Sequence, residues 1–391
     1  MPPLFSQPNK HNLETIPAEI FGNILREIFL GGFFLDSYID KEQQTQLFAL
    51  LKVSKTVSAM VLNNSPFHII TLPIGMGLSC GHKRRTLSFL TFLVRQAPFP
   101  LRLRLRVSAS TYLDVRTDIQ SVVAQFRCKC LPILMERCWH SLSLTTLGPL
   151  DHHIFFLSLV PNPQMTTLEQ ITVDSRHHTD DAVNTLFPFI PPNVHQLSLT
   201  LWTWQPSPSQ RTPTAQHVLR DVTHLVLTTS PRGTLPILLS LPHLHTAEIW
   251  LNSYQSYVEE QRFSSPVILP RLQRLTLSLV RVLSDSTRIE QFILQEALHL
   301  RDLLFHLHCS VLRSMILHWN VDASPTSQGP IRDGLEAFLT RVSGTLHQLL
   351  FVDHVHPSCF DEEQLIQMIG MCNISPDIFQ CRYRSKRTIY Q

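Results

Sequence analysis

The sequence predicts an α/β protein in two parts, a small N-terminal module of three short helices followed by a long, irregular array of strand-and-helix repeats. Three observations carry this prediction. The pattern apolar-x-x-apolar-x-apolar recurs along the later part of the chain. Prolines, 27 in number, bracket many short apolar stretches, whereas glycine is scarce at 12 of 391 residues. Ahead of the array, between Leu13 and Val61, apolar residues fall instead at helical spacing.

Taken in order, residues 1–12 are expected to be disordered. Leu13, Ile16, Pro17, Ile20, Ile24, Leu25, Ile28 and Phe29 form a first helical stripe, Leu47, Leu50 and Leu51 a second, and Val53, Val57 and Val61 a third. Ser65-Pro66 then leads into a first strand at Ile69-Ile70-Thr71-Leu72, which places the helical module at residues 13–72. The array occupies 73–375. Leu101, Leu103, Leu105 and Val107 alternate with Arg102, Arg104 and Arg106, which predicts a strand with a row of arginines on one face. A helix-like stretch near Ser121 to Glu136 precedes Trp139 and a further strand at Leu142-Ser143-Leu144.

Seven copies of the pattern come next: Leu168/Ile171/Val173, Val194/Leu197/Leu199, Val222/Leu225/Leu227, Leu244/Ala247/Ile249, Leu272/Leu275/Leu277, Leu312/Met315/Leu317 and Leu346/Leu349/Phe351. Their first residues are 26, 28, 22, 28, 40 and 34 apart, mostly in or near the interval of leucine-rich repeats, with two insertions. In each copy the last two apolar positions are two residues apart, so both point to one face of a strand and their neighbours to the other. Between copies lie helical stretches. The clearest runs from Thr287 to His308, where Ile289, Phe292, Ile293, Ala297, Leu300, Leu304 and Leu307 stand behind a Thr287-x-x-Glu290 capping box. No such unit buries its apolar face alone, so the units are expected to stack into a curved parallel sheet with helices outside. The asparagine that comes after the strand in leucine-rich repeats is present only as Asn252 and Asn320, so the repeats are degenerate. Residues 376–391, with Arg382, Arg384, Lys386 and Arg387, read as a basic C-terminal tail.

Composition narrows the function. At 43% hydrophobic and 16% charged residues the chain can bury a large core. A net charge of +3, with its dense basic cluster confined to the tail, argues against nucleic acid as a partner. Apolar stretches such as Ile28 to Leu35 are far shorter than the roughly 20 residues needed to span a bilayer, and MPPLFSQPNKHN lacks the layout of a signal peptide. A soluble protein of the cytoplasm, the nucleus or both is expected, without membrane contact. Eight scattered cysteines, several within apolar segments, fit reduced buried thiols.

The N-terminal residues carry a resemblance. Leu13-Glu-Thr-Ile16-Pro17-Ala-Glu19-Ile20 and the closing Ser65-Pro66 resemble the F-box of fungal proteins. The next stretches are similar to the mushroom-type F-box proteins with leucine-rich repeats: Phe92-Leu93-Val94-Arg95, then Pro100-Leu101-Arg102-Leu103, then Arg137-Cys138-Trp139-His140-Ser141-Leu142. The resemblance implies an F-box-like module and, after it, a leucine-rich-repeat-like solenoid. It further implies that Leu13, Ile16, Pro17, Ile20, Ile24, Leu47, Leu50 and Leu51 face the Skp-type adaptor of a cullin-RING ubiquitin ligase. Those same residues could instead form the core of the small module.

Two stretches invite a chemical reading. Gly77-Leu78-Ser79-Cys80-Gly81 is a literal G-x-S-x-G, with Gly31-Gly32 upstream as a candidate oxyanion hole. A hydrolase elbow needs a central strand with several predecessors, whereas one convincing strand precedes Ser79 and Pro73 and Gly75 break the approach. A loop is the simpler reading. Cys128-x-Cys130 with Cys138-x-His140 offers four soft ligands, but the spacing is too short for a zinc site and Cys130 lies in an apolar run. Core thiols are expected there, and no cofactor or metal.

The expected function is therefore that of a substrate-recruiting adaptor and not an enzyme, its helical module binding the Skp-type adaptor and its repeats binding a protein target. The alternatives are a serine hydrolase using residues 77–81 and a repeat scaffold unconnected with ubiquitin. Strand alternation puts Leu197, Leu199 and Leu201 inward and Trp202 and Trp204 outward, beside a Pro/Ser/Thr-rich loop at 205–214. Trp250 and His318 take outward places in later repeats, and Arg102, Arg104 and Arg106 supply a basic row. These seven residues are the expected target surface; the competing reading has the loop folded back over the tryptophans and the arginines merely solvated.

Overall fold

The computed structural model describes residues 17, 19–21, 23–24, 33–34, 45–46, 49–50, 52–62, 69–75, 91, 95, 101–108, 139–146, 167–175, 186–201, 218–229, 231–252, 266–280, 289–320, 325–353 and 362–383. The chain divides into two compact units, Met1–Ser143 and Leu144–Gln391. The boundary expected between residues 72 and 73 falls inside a strand, Ile69–Gly75, whose pairing holds both sides of it in the first unit.

In the first unit the helical turn after Pro17 is closed by the Phe21 amide, which donates to the Pro17 carbonyl at 2.9 Å. Strand β1 is Phe33–Phe34. Helix α1, Lys55–Leu62, starts at Ser54, whose Oγ accepts from the Val57 amide at 3.1 Å and so satisfies one of the amides a helix leaves open at its start. Strands β2 (Ile69–Gly75) and β3 (Leu101–Ser108) run parallel, and β1 pairs in parallel with β2. Strand β4, Trp139–Thr146, lies across the division between the units and buries Trp139, Leu142 and Leu144. All three strands expected from the sequence ahead of the seven copies are present.

The second unit is built on strands β5 (Gln170–Ser175), β6 (Gln196–Leu201), β7 (His224–Thr229) and β8 (Thr246–Asn252). After them come the two-residue β9 (Val267–Ile268) and then β10 (Arg274–Val280), the two-residue β11 (Leu307–His308), β12 (Ser314–Asn320), β13 (Gln348–Asp353) and β14 (Phe379–Tyr383). Apart from β9 and β11, which pair with each other, these strands lie side by side in chain order and every neighbouring pair is parallel. Parallel neighbours need crossovers. Among the described residues helices supply four of them: α2 (Pro231–Leu239), α3 (Ile289–His306), α4 (Pro325–Val342) and α5 (Glu362–Met371).

The register explains the repeated pattern. Ile171, Leu197, Leu225, Ala247, Leu275, Met315, Leu349 and Phe379 are direct cross-strand neighbours, and so are Val173, Leu199, Leu227, Ile249, Leu277, Leu317, Phe351 and Cys381. From Ile171 to Leu349 and from Val173 to Phe351 these rows are 5% exposed or less, as is the third row from Leu168 to Leu346 that heads each copy. Burying one such side chain contributes about 1.5–3 kcal/mol, and a one-residue slip would turn a whole row to the other face.

A second ladder clamps the chain just before each strand. The carbonyls of Glu169, His195, Thr223, His245, Gln273 and Arg313 each accept from two successive amides of the next repeat, as His245 does from Gln273 at 2.9 Å and Arg274 at 3.1 Å. The Asn193 side-chain amide adds a bond of 2.8 Å to the Leu168 carbonyl. The sheet then runs further than the seven copies. Residues 376–383, assigned to the basic tail by sequence, form a short 3-10 turn and β14, paired in register with β13.

The helices differ in how they are held. In α2 every side chain from Thr234 to Leu238 is buried, so the helix tolerates Pro236 in its interior because packing outweighs the lost hydrogen bond. Helix α3 buries Ala297, Leu300, Leu303 and Leu304 and packs against α4, which presents Ile331, Leu335, Phe338, Leu339 and Val342. Of the expected α3 stripe, Ala297, Leu300, Leu304 and Leu307 are buried; the side chains of Ile289, Phe292 and Ile293, and Thr287 itself, lie outside the described residues. Among the described residues no helix is long and apolar enough to cross a membrane.

Candidate target-binding surface

The face of the second-unit sheet opposite the leucine rows carries two rows of its own. One consists of Thr172, Ser198, Val226, Glu248, Thr276, Ile316, Leu350 and Gln380, the other of Asp174, Thr200, Thr228, Trp250, Ser278, His318, Val352 and Arg382. Strand alternation puts them there, since along each strand they alternate with the two leucine rows.

Trp250 and His318 therefore share a row, with Ser278 between them. Trp250 is 36% exposed, and its indole Nε1 donates to Glu248 Oε1 at 2.8 Å. Glu248, two residues back on the same face, thus fixes the ring along its own strand. Glu248 is not among the residues expected from sequence, although its i, i+2 spacing from Trp250 on a strand is the signal for it. Ser278 is only 1% exposed, sunk between its two larger neighbours, and its Oγ has no hydrogen-bond partner. An unpaired buried hydroxyl costs about 1–3 kcal/mol, so a hydrogen-bonding group inserted between Trp250 and His318 would recover that cost. Val226, 40% exposed, and the half-buried Ile316 and Leu350 extend the face with apolar surface.

Trp202 and Trp204 lie outside the described residues. Arg102, Arg104 and Arg106 belong to β3 of the first unit, opposite Ile69, Thr71 and Pro73 of β2.

Of the expected adaptor-facing residues, Pro17 is exposed, Ile20 is 53% exposed and Ile24 41%, while Leu50 is half-buried. Leu13, Ile16, Leu47 and Leu51 lie outside the described residues. The apolar interior beside the exposed pair is made by Phe21, 2% exposed, and Val57 is fully buried; Val53, by contrast, is 52% exposed. Ile20 and Ile24 are four residues apart and so occupy one side of their helical turn.

Residues 77–81, and Cys128, Cys130 and Cys138 with them, lie outside the described residues; His140 is half-buried in β4. Among the described residues no group of three or more His, Cys, Asp or Glu side chains is placed to hold a metal ion. The chain matches no protein-family model, and no curated protein matches it.

Proposed function

We propose that the chain is the substrate-recruiting subunit of an SCF-type cullin-RING ubiquitin ligase, an F-box-like module with a degenerate leucine-rich-repeat-like solenoid. The observation that supports it most is the exposure of Ile20 and Ile24 beside a buried Phe21. Isoleucines left in water at helical spacing are surface the module does not use for its own core, and a Skp-type adaptor is the partner that the F-box resemblance assigns to them. The parallel sheet with one strand per repeat suits the second half of the reading, in which an exposed face built around Trp250 holds a protein target. No step in this function requires a catalytic residue, a cofactor or a metal, and Ser79 takes no part.

The test is a pull-down of purified full-length protein with a Skp-type adaptor. Ile20→Asp with Ile24→Asp places two charges on the contact and is expected to abolish retention while leaving the circular dichroism spectrum unchanged, because both residues are exposed. Absence of adaptor binding by the unmodified chain at micromolar concentration overturns the ligase reading. Labelling of Ser79 by a fluorophosphonate probe would support the hydrolase reading in its place.

A further inference from the structure

The turn ladder that clamps each repeat to the next also sorts charge. Its rungs, in order across the sheet, are His195/Gln196, Thr223/His224, His245/Thr246, Gln273/Arg274, Arg313/Ser314 and His347/Gln348. Every one of these six rungs carries one basic side chain and none carries a carboxylate. His195, His224, Arg274, Arg313 and His347 are exposed and His245 is half-buried. Neighbouring strands lie about 4.8 Å apart, so five steps spread the line over about 24 Å. Arg220 and Arg271, also exposed, flank it; the exposed carboxylates beside it are Asp221 and, at the β5 end of the ladder, Glu169. Among the described residues none of these four arginines forms an ion pair.

We propose that this line is a docking strip for an acidic polypeptide segment of about seven extended residues, the length that covers 24 Å. The line's arginines carry fixed charge and its histidines add to it on protonation, and unpaired charges of one sign gain from an opposite row of carboxylates, which is the charge complementarity that selects a partner. Repulsion within the line is visible at His224. Its pKa is held below the usual histidine value by burial first, then by the charges of Arg274, His245 and His195, with no carboxylate among the groups acting on it. The Thr223 hydroxyl stands 2.9 Å from its Nδ1. A nucleic acid fits less well. The rungs carry no Phe, Tyr or Trp on which a base could stack, and the chain's pI of 8.4 falls short of that of a nucleic-acid-binding domain. The inference rests on reading the repeats as a receptor for a protein and makes no use of the adaptor contact, so the pull-down and the titration below fail independently.

The experiment titrates the purified full-length chain into a fluorescent octapeptide of aspartate and glutamate, with the asparagine and glutamine peptide and a thymidine oligonucleotide as comparators, by fluorescence anisotropy. The acidic peptide is expected to bind, the neutral one not, and binding should weaken with added salt. Arg274→Gln with Arg313→Gln should lower the affinity about tenfold, as removal of two paired charges does. Affinity should rise as pH falls below the ordinary histidine value of 6.5 and His224, whose pKa is lowered in the free chain, takes up a proton against the bound carboxylates, and His224→Asn should reduce that rise. Equal binding of the neutral peptide, or an unchanged affinity in the double variant, overturns the proposal, and tighter binding of the oligonucleotide transfers the strip to nucleic acid. Should the double variant fail to fold, the single changes Arg274→Gln and Arg313→Gln replace it, and no loss in either is equally decisive.

Discussion

Gly334 of α4 lies so close to Arg301 of α3 that a β-carbon built on it stands 2.8 Å from the Arg301 α-carbon. The obstructing atom is backbone, so it cannot swing aside, and the two helices would have to separate. Gly334→Ala gains about 1 kcal/mol of helix propensity but meets an overpacking cost of about 1–3 kcal/mol. A net loss of stability is expected, read as a lower urea midpoint. Gly329 in the same helix has nothing within 4 Å of its β-carbon position, so Gly329→Ala should move the midpoint the other way.

Arg341 ties the end of α3 to α4. Its Nη2 donates to the carbonyls of Leu304 and Leu307, the latter at 3.3 Å, and its guanidinium stands 5.9 Å from the centre of the Phe338 ring. The last carbonyls of a helix have no partner within it, so the guanidinium supplies what α3 lacks there. Arg341→Ala should destabilise the second unit by about 1–3 kcal/mol, and Arg341→Lys should recover part of that with a single ammonium in place of the fork. Thermal unfolding of the three proteins compares them directly.

Acid should destabilise the fold through two histidines. The pKa of His224 is lowered by burial and then by the positive charges of Arg274, His245 and His195; that of His308 is lowered by burial and then by Arg341 and His306. A lowered folded value means that the unfolded chain takes up the proton first, so stability rises with pH. The loss begins as pH falls through the ordinary value of 6.5 and is complete once pH is below the lowered folded values. Urea midpoints across this range should show the fall, and a slope unchanged by His224→Asn would remove His224 as a cause.

Burial pushes the Cys309 thiol up to about 12, against a smaller downward pull from Arg341, and the side chain is 4% exposed. Burial also raises the Cys372 thiol, with Glu336 adding to the rise and a hydrogen bond with Thr340 opposing it. The thiolate is the reactive form, so neither cysteine should be modified by a maleimide at neutral pH in the folded protein. Both should react once urea opens the fold. Peptide mapping by mass spectrometry distinguishes them from the half-buried Cys381.

Much of the strand layout was legible because a strand's period is short and this chain repeats it. Leu197 and Leu199, or Leu275 and Leu277, are two apart with polar neighbours, and that alone makes one face apolar and puts Trp250 and His318 on the other. Repetition even implied the register, since only the in-register stack lines up every apolar pair. The last strand escaped notice because its copy opens with Pro376 and closes with Cys381, so two of its three apolar places are disguised. Helix α4 answers the general expectation of a helix between copies, but its own residues hardly announce it. Gly329, Pro330 and Gly334 argue against a helix locally, and the contact that decides for one, between α4 and α3, is between residues about thirty positions apart.

By itself, then, the sequence determined the strands of the seven copies, which face of each is apolar and that they belong to one repeating set, because those depend on the local alternation of side chains. Tertiary structure alone decided what gathers across the strands. The basic line runs through His195, His224, His245, Arg274, Arg313 and His347, which are irregularly spaced and shift between two positions of the repeat, so no period in the chain announces them. They become neighbours only because each turn carbonyl accepts two amides from the next repeat and sets the strands side by side at a fixed interval. The same holds for Ser278, an ordinary strand serine in the sequence. Parallel pairing places Trp250 on one side of it and His318 on the other, and its buried hydroxyl has no partner.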